Sequence, residues 1–239
     1  MTPEETAAAL KGPAGDAGFQ FMADPLTREA GKAVGLRGRP MYYLGRGGAL
    51  GDVPAEVVSA AFAFFPPEAV AEHWNAARQV MSPADGVRLY AEQCNAWGRR
   101  TLADRPGAER ALQLLERVVD EAEPAGLPLF AGWRALPRPD DVPGRLAQVL
   151  NLLREHRGGA HACAIAAVGL RPVEATIAGA YGEAGARFAG WPEPWPDPEP
   201  YRARWREAED LTSAAAARPY EELSEDEQIE LVGIVSAWA

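Results

Sequence analysis

The sequence predicts an all-α protein, a multi-helix bundle with a proline-rich extended arm and helices after it. Three observations carry this. Apolar side chains recur at three- and four-residue spacing along several long segments, the period of a helix with one buried face. Several of those segments open on Ser-Pro or Pro-Pro and close on Pro and Gly, residues that start and stop helices. Finally, 47 % of the 239 residues are hydrophobic, which suits a folded chain rather than a disordered one. A chain of this length supports a core without disulfide or metal staples. We read residues 1–239 as a single mostly helical domain, divisible into a helical core over 1–190 and an arm plus C-terminal helices over 191–239.

The elements follow in order. The N-terminal third is irregular, and Gly45-Arg46-Gly47-Gly48-Ala49-Leu50-Gly51 reads as a glycine-rich loop. It follows no clear strand and lacks the Gly-Lys-Ser/Thr ending of a phosphate loop. Ala55–Phe65 ends in Phe62, Phe64 and Phe65, whose alternation allows a short strand, but the Ala-rich flanks favour helix. Pro66-Pro67 opens a helix with Val70, Trp74 and Ala77 inward. Over 82–102 the stripe is Val87, Tyr90, Cys94, Trp97 and Thr101; over 106–123 it is Ala108, Leu112, Leu115, Val119 and Ala122. A helix over 143–157 turns Leu146, Val149, Leu150 and Leu153 inward. Gly158-Gly159 reads as a break before a further helix through His161, Ile165 and Val168. Trp191–Pro200 holds five prolines in ten residues, which excludes helix and central strand and predicts a stiff connection lying on the surface. A helix over 201–217 follows, then a last one striped by Leu231, Ile234, Val235 and Trp238, with Ser224 and Glu227 spaced as a capping box.

Charge narrows the function. The net charge is −10; residues 1–120 carry 13 Lys and Arg against 15 Asp and Glu, and residues 121–239 carry 11 against 19. Such a chain is repelled by phosphate backbones, so nucleic acid is a disfavoured partner. Cys94 and Cys163 lie in apolar helical patterns without metal spacing and read as two buried thiols of a reducing cytoplasm. The acidic opening Thr2-Pro3-Glu4-Glu5 and the lack of a long apolar run predict a cytoplasmic protein without a membrane segment.

The richest chemistry lies in Leu153-Arg154-Glu155-His156-Arg157-Gly158-Gly159-Ala160-His161. His156 and His161 each fall on the apolar face of a helix, and a turn at the glycines would bring both imidazoles into one cavity. His156 at a helix C-terminus would favour imidazolium, and His161 at an N-terminus the neutral ring, an arrangement suited to an acid and a base. Glu155, Arg154 and Arg157 would orient the rings or hold an anion. The plainer alternative makes His156 a C-cap and His161 a helix-start residue. His-x4-His is not the His-x3-His of a helical zinc site, so no metal is assigned, and His73 reads as structural. Trp133-Arg134, in a Pro- and Gly-flanked turn, offers a flat apolar surface beside a donor fork. The alternative there is a buried turn, with Asp140 or Asp141 capping the next helix.

Several of these segments resemble a largely actinobacterial group labelled SalK-like or helix-turn-helix family. They are Leu36-Arg37-Gly38, Tyr43–Gly51, Phe62–Pro66, Leu129–Pro137 with Asp140-Asp141, and most specifically Leu153–His161, together spanning about 25–175. The resemblance implies a mostly helical fold. The family's label comes from a C-terminal winged-helix-like region, which 176–239 with its proline-rich stretch does not reproduce. Gly159 stands where relatives carry Asp.

The expected function is small-molecule binding in bacterial, secondary metabolism, leaning to a cofactor-independent acid–base enzyme of isomerase, cyclase, lyase or hydrolase type. His156, His161 and Glu155 are the candidate catalytic residues. Tyr43, Arg46, Trp133, Arg134, Arg154 and Arg157 are the candidate ligand contacts. No cofactor is assigned, and a homodimer is compatible with the sequence. The alternatives are a helix-turn-helix transcription regulator and a non-catalytic interaction protein gripping a partner with its arm and terminal helix.

Overall fold

A 26-residue helix, α9 (Val142–Ala167), forms the axis of the computed structural model, which describes residues 1–238. Asp141 starts it by accepting the Gly144 N–H at 2.9 Å, so of the two adjacent acids Asp141 is the cap. Around α9 pack α1 (Pro3–Ala23), α6 (Pro83–Thr101), α7 (Ala108–Glu121), α8 (Pro128–Arg134) and α12 (Arg202–Ala217). The second layer holds α2 (Pro25–Ala33), α3 (Arg39–Gly47), α4 (Ala55–Phe62) and α5 (Pro67–Arg78) on the α6 side. Beyond α9 lie α10 (Pro172–Ala178) and α11 (Gly182–Ala189), and α13 (Glu225–Ser236) closes back on α1 and α7. No strand occurs among the described residues, so the chain is all-α, a multi-helix bundle.

Two of the striped helices start where expected, with the Ser82 hydroxyl accepting from Asp85 N and Ser224 reciprocating with Glu227 in a capping box. The proline-rich stretch lies extended on the protein. Trp191 Nε1 donates to the Phe64 carbonyl at 2.9 Å, and Trp195 Nε1 to the Trp191 carbonyl at 3.0 Å.

Three expectations are corrected. Gly158 and Gly159 do not break the chain, and α9 runs through both. Glycine costs a helix only about 1 kcal/mol relative to alanine. At Gly159 a Cβ would meet Leu127 Cδ2 at 2.8 Å, so the position serves the close seat of α8's start. The glycine-rich 45–51 segment is not a loop but the end of α3 and a 3₁₀ turn over Gly48–Leu50. Its glycines are packing surface: a Cβ at Gly45 would lie 2.4 Å from Tyr90 Cγ, and one at Gly48 2.3 Å from the Pro83 carbonyl. The segment before Pro66 is helical, as its Ala-rich flanks favoured, and α4 stops at Phe62. Cys163 is exposed rather than buried, because unbroken α9 carries it to the outer side, whereas Cys94 is buried.

Candidate functional site

α4 ends in a strained backbone. Ala63 has φ 50° and ψ −61°, and the Phe64 N–H donates to the Phe62 carbonyl at 2.6 Å, a γ-turn. A non-glycine residue held there costs about 1–3 kcal/mol. The turn sets Phe64 against His161 of α9 and Phe65 against Tyr42, and with Phe62, α1, α8 and the C-terminal helices they line a cavity of about 390 Å³.

At one end lies a buried ion cluster. Arg46 reaches Glu155 through Nε–Oε1 at 2.9 Å and Nη2–Oε2 at 2.8 Å, and donates from Nη1 to the Tyr42 hydroxyl at 3.1 Å. Arg154 Nη1 donates to Glu155 Oε1 at 2.8 Å. Glu155 is only 1 % exposed. Burial opposes its ionisation, but the two guanidiniums outweigh burial and hold the carboxyl below its ordinary range. For Arg46 burial likewise opposes charge, and Glu155 more than reverses it. The guanidinium also sits 4.6 Å from the Phe62 ring centroid.

His156 and His161 both line the cavity, but not as neighbours. Five residues apart on one helix, they project about 140° apart. His156 packs edge-on against Phe130 at 5.1 Å and makes no hydrogen bond among the described residues. His161 stacks on Phe64 at 5.3 Å, with Nδ1 2.9 Å from Thr212 Oγ1. Because the Thr212 hydroxyl gives its proton to the Ala208 carbonyl at 2.6 Å, Nδ1 of neutral His161 is the donor and Nε2 the free acceptor. The opposed helix dipoles expected at these rings are absent, since neither ring lies in a terminal turn. Burial instead pushes both below the ordinary histidine value. His156 falls to about 4, helped by the Arg134 charge. At His161 the Glu209 carboxylate resists the fall, while Arg157 and Lys11 add to it.

Arg46, Arg154, Glu155, Arg157, His156 and His161 therefore come together around one space. Tyr43, Trp133 and Arg134 stand outside its lining. Tyr43 is fully buried and stacks on Phe62, while Tyr42 reaches the cavity. Trp133 is fully buried and donates Nε1 to the Arg46 carbonyl at 3.2 Å, so it supports that residue from behind. Arg134 caps the end of α7, donating to the carbonyls of Val119, Asp120 and Ala122. Sequence reasoning missed Lys11 and Glu209, which meet at 2.7 Å across the cavity's other end, where Glu209 also accepts from Arg157 at 2.9 Å. Lys11, one of only two lysines in the chain, carried no motif to mark it. No three of His, Cys, Asp and Glu gather as a metal group among the described residues. No helix there is long and apolar enough to cross a membrane.

Fold and site thus define a helical-bundle protein with a partly open, aromatic-lined cavity and a buried arginine–glutamate cluster. Two pairs of short helices, α4–α5 and α10–α11, are joined by brief turns and pack on each other. The chain matches the family described as "Helix-turn-helix family" over residues 17–206, and belongs to it. That match runs beyond the 25–175 span of the resemblance and takes in the proline-rich arm. The comparisons with curated proteins and with solved structures give no match.

Proposed function

We propose that this chain is a small-molecule-binding member of its family, with the ligand in the aromatic cavity beside α9. The observation that carries the reading is His156, a nine-tenths buried imidazole facing the cavity without a hydrogen-bond partner among the described residues. Its ring nitrogens reach the cavity surface, where a polar atom of an occupant can pair with them. The volume suits a small ligand. Cofactor-independent acid–base chemistry is the finer form of this reading, as is the SalK-like branch. In that form the neutral rings of His156 and His161 take or return a proton, and Glu155, fully engaged by two arginines, is a positioning residue.

The test uses the full chain and the neutral fluorophore N-phenyl-1-naphthylamine. Gly158 borders the cavity, and a Cβ there meets nothing within 4 Å, so Gly158→Trp fills the space without disturbing the helix. We expect saturable one-to-one binding that Gly158→Trp abolishes while its melting midpoint is kept. Binding that survives the substitution, or no binding at all, overturns the reading.

A second reading, a transcription regulator, is favoured by the family description. Against it, the second helix of each pair presents no basic cluster: α5 exposes Glu68 and Glu72, and α11 exposes Glu183 and Arg187. Fluorescence anisotropy with a labelled nonspecific duplex separates the two. The cavity reading expects no shift at physiological salt. Tight binding with a steep salt dependence would make the chain a regulator and the cavity its effector site.

A further inference from the structure

The charges around the cavity run against those of the whole molecule. In a chain of net charge −10, four cationic side chains border this one space, Lys11, Arg46, Arg154 and Arg157, against two carboxylates, Glu155 and Glu209. With both imidazoles neutral, the enclosure carries two uncompensated positive charges. Glu155 satisfies Arg46 in a two-point fork, but takes only one N–H from Arg154. The remaining N–H groups of Arg154, Nε among them, have no partner among the described residues, although its side chain is only 23 % exposed. A half-buried guanidinium with free donors in a low-dielectric wall attracts an anion and repels a cation. The rest of the wall is mostly apolar, with Phe62, Phe64, Phe65 and Phe130 among the residues facing the same space.

We infer that the cavity takes an amphipathic organic acid, its carboxylate received by the free side of Arg154 and its apolar body laid against the phenylalanines. A carboxylate offers the planar two-oxygen edge that a guanidinium matches. His156, lying beyond Arg154 on the same helix, is left to meet a further polar atom of the occupant. The inference rests on the cavity being a ligand site, and deepens that reading by naming the class of ligand.

Calorimetry on the full chain tests it with three matched pairs, benzoate and benzamide, 2-naphthoate and 2-naphthamide, octanoate and octanamide, together with 2-naphthylmethylammonium. At least one acid should bind tenfold or more tighter than its amide, and the ammonium should not bind. Arg154→Met should erase that preference for acid over amide. Arg154→Lys, which keeps the charge but loses the fork, should restore part of it, and circular dichroism checks that both variants fold. If acids and amides bind alike, or Arg154→Met leaves the preference intact, the inference falls while the cavity reading stands. If no member of the panel binds and N-phenyl-1-naphthylamine does not either, both fall.

Discussion

Removing Glu155 should damage the fold more than removing the arginine that grips it best. Glu155→Leu deletes the one anion in a cluster where Arg46 is 8 % exposed and Arg154 lies alongside. Two guanidiniums are then left facing each other in a poorly solvated space. Breaking a buried ion pair by removing one partner costs about 3–5 kcal/mol. In a chain of this size that lowers the melting midpoint by roughly 6–20 °C. Arg46→Leu should cost less, because Arg154 still neutralises Glu155 at 2.8 Å. The double variant leaves only Arg154, which reaches solvent, so it should be more stable than Glu155→Leu alone. Urea unfolding followed by far-ultraviolet circular dichroism measures all four corners of this cycle. Since the pair is buried, the differences should change little between low salt and about 1 M salt. The argument is refuted if Glu155→Leu costs less than about 1 kcal/mol, or if the two single effects simply add.

His156 gives the stability an acid limb. Its folded value of about 4 lies below the ordinary 6.5, so the unfolded chain takes up the proton first. Stability from the neutral ring is whole above pH 6.5 and falls as pH drops toward 4, by about 3 kcal/mol in total. His156→Gln should flatten that limb in urea midpoints compared at neutral pH and near the lower value; an unchanged limb would count against burial as the cause. Gly45→Ala drives a Cβ to 2.4 Å from Tyr90 and should cost about 1–3 kcal/mol or more. Gly158→Ala, with nothing within 4 Å, should instead stabilise by about 0.5–1 kcal/mol; thermal melts of both give the contrast. Trp191→Ala removes the bond to the Phe64 carbonyl and should expose 192–200 to rapid proteolysis while the helical signal is kept.

Periodicity was a good guide wherever a helix has one wet side. α6, α7, α12 and α13 were legible to within a few residues from their stripes and caps. α1 is the exception: one face is exposed, but its buried row of Thr6, Leu10, Ala14, Gly18 and Phe21 is mostly small or polar and does not read as an apolar stripe. The glycines of α3 and α9 misled for one reason: glycine breaks helices by weak local preference, whereas here it is required by contact with Tyr90, Pro83 and Leu127. Of the candidate site, the α9 residues stood out because they are contiguous. Their partners Lys11, Tyr42 and Glu209 come from distant segments, and only the packing of α1, α3 and α12 brings them in.

The unbroken course of α9 has a consequence for how this chain can vary. The first half of the helix is keyed to α6, where Gly98 lies so close to Pro143 that no side chain fits between them. The second half displays Arg154, Glu155, His156, Arg157 and His161. Between Ala147 and Arg154 there is no loop to absorb a change of length. One inserted residue there would turn the whole display by about 100° and shift it by about 1.5 Å. The Glu155 carboxylate would swing away from Arg46, and the imidazoles would face different walls. Substitutions along this stretch act locally, whereas insertions and deletions rewrite every position beyond them at once. Length, more than residue identity, is therefore what descendants of this chain must keep there.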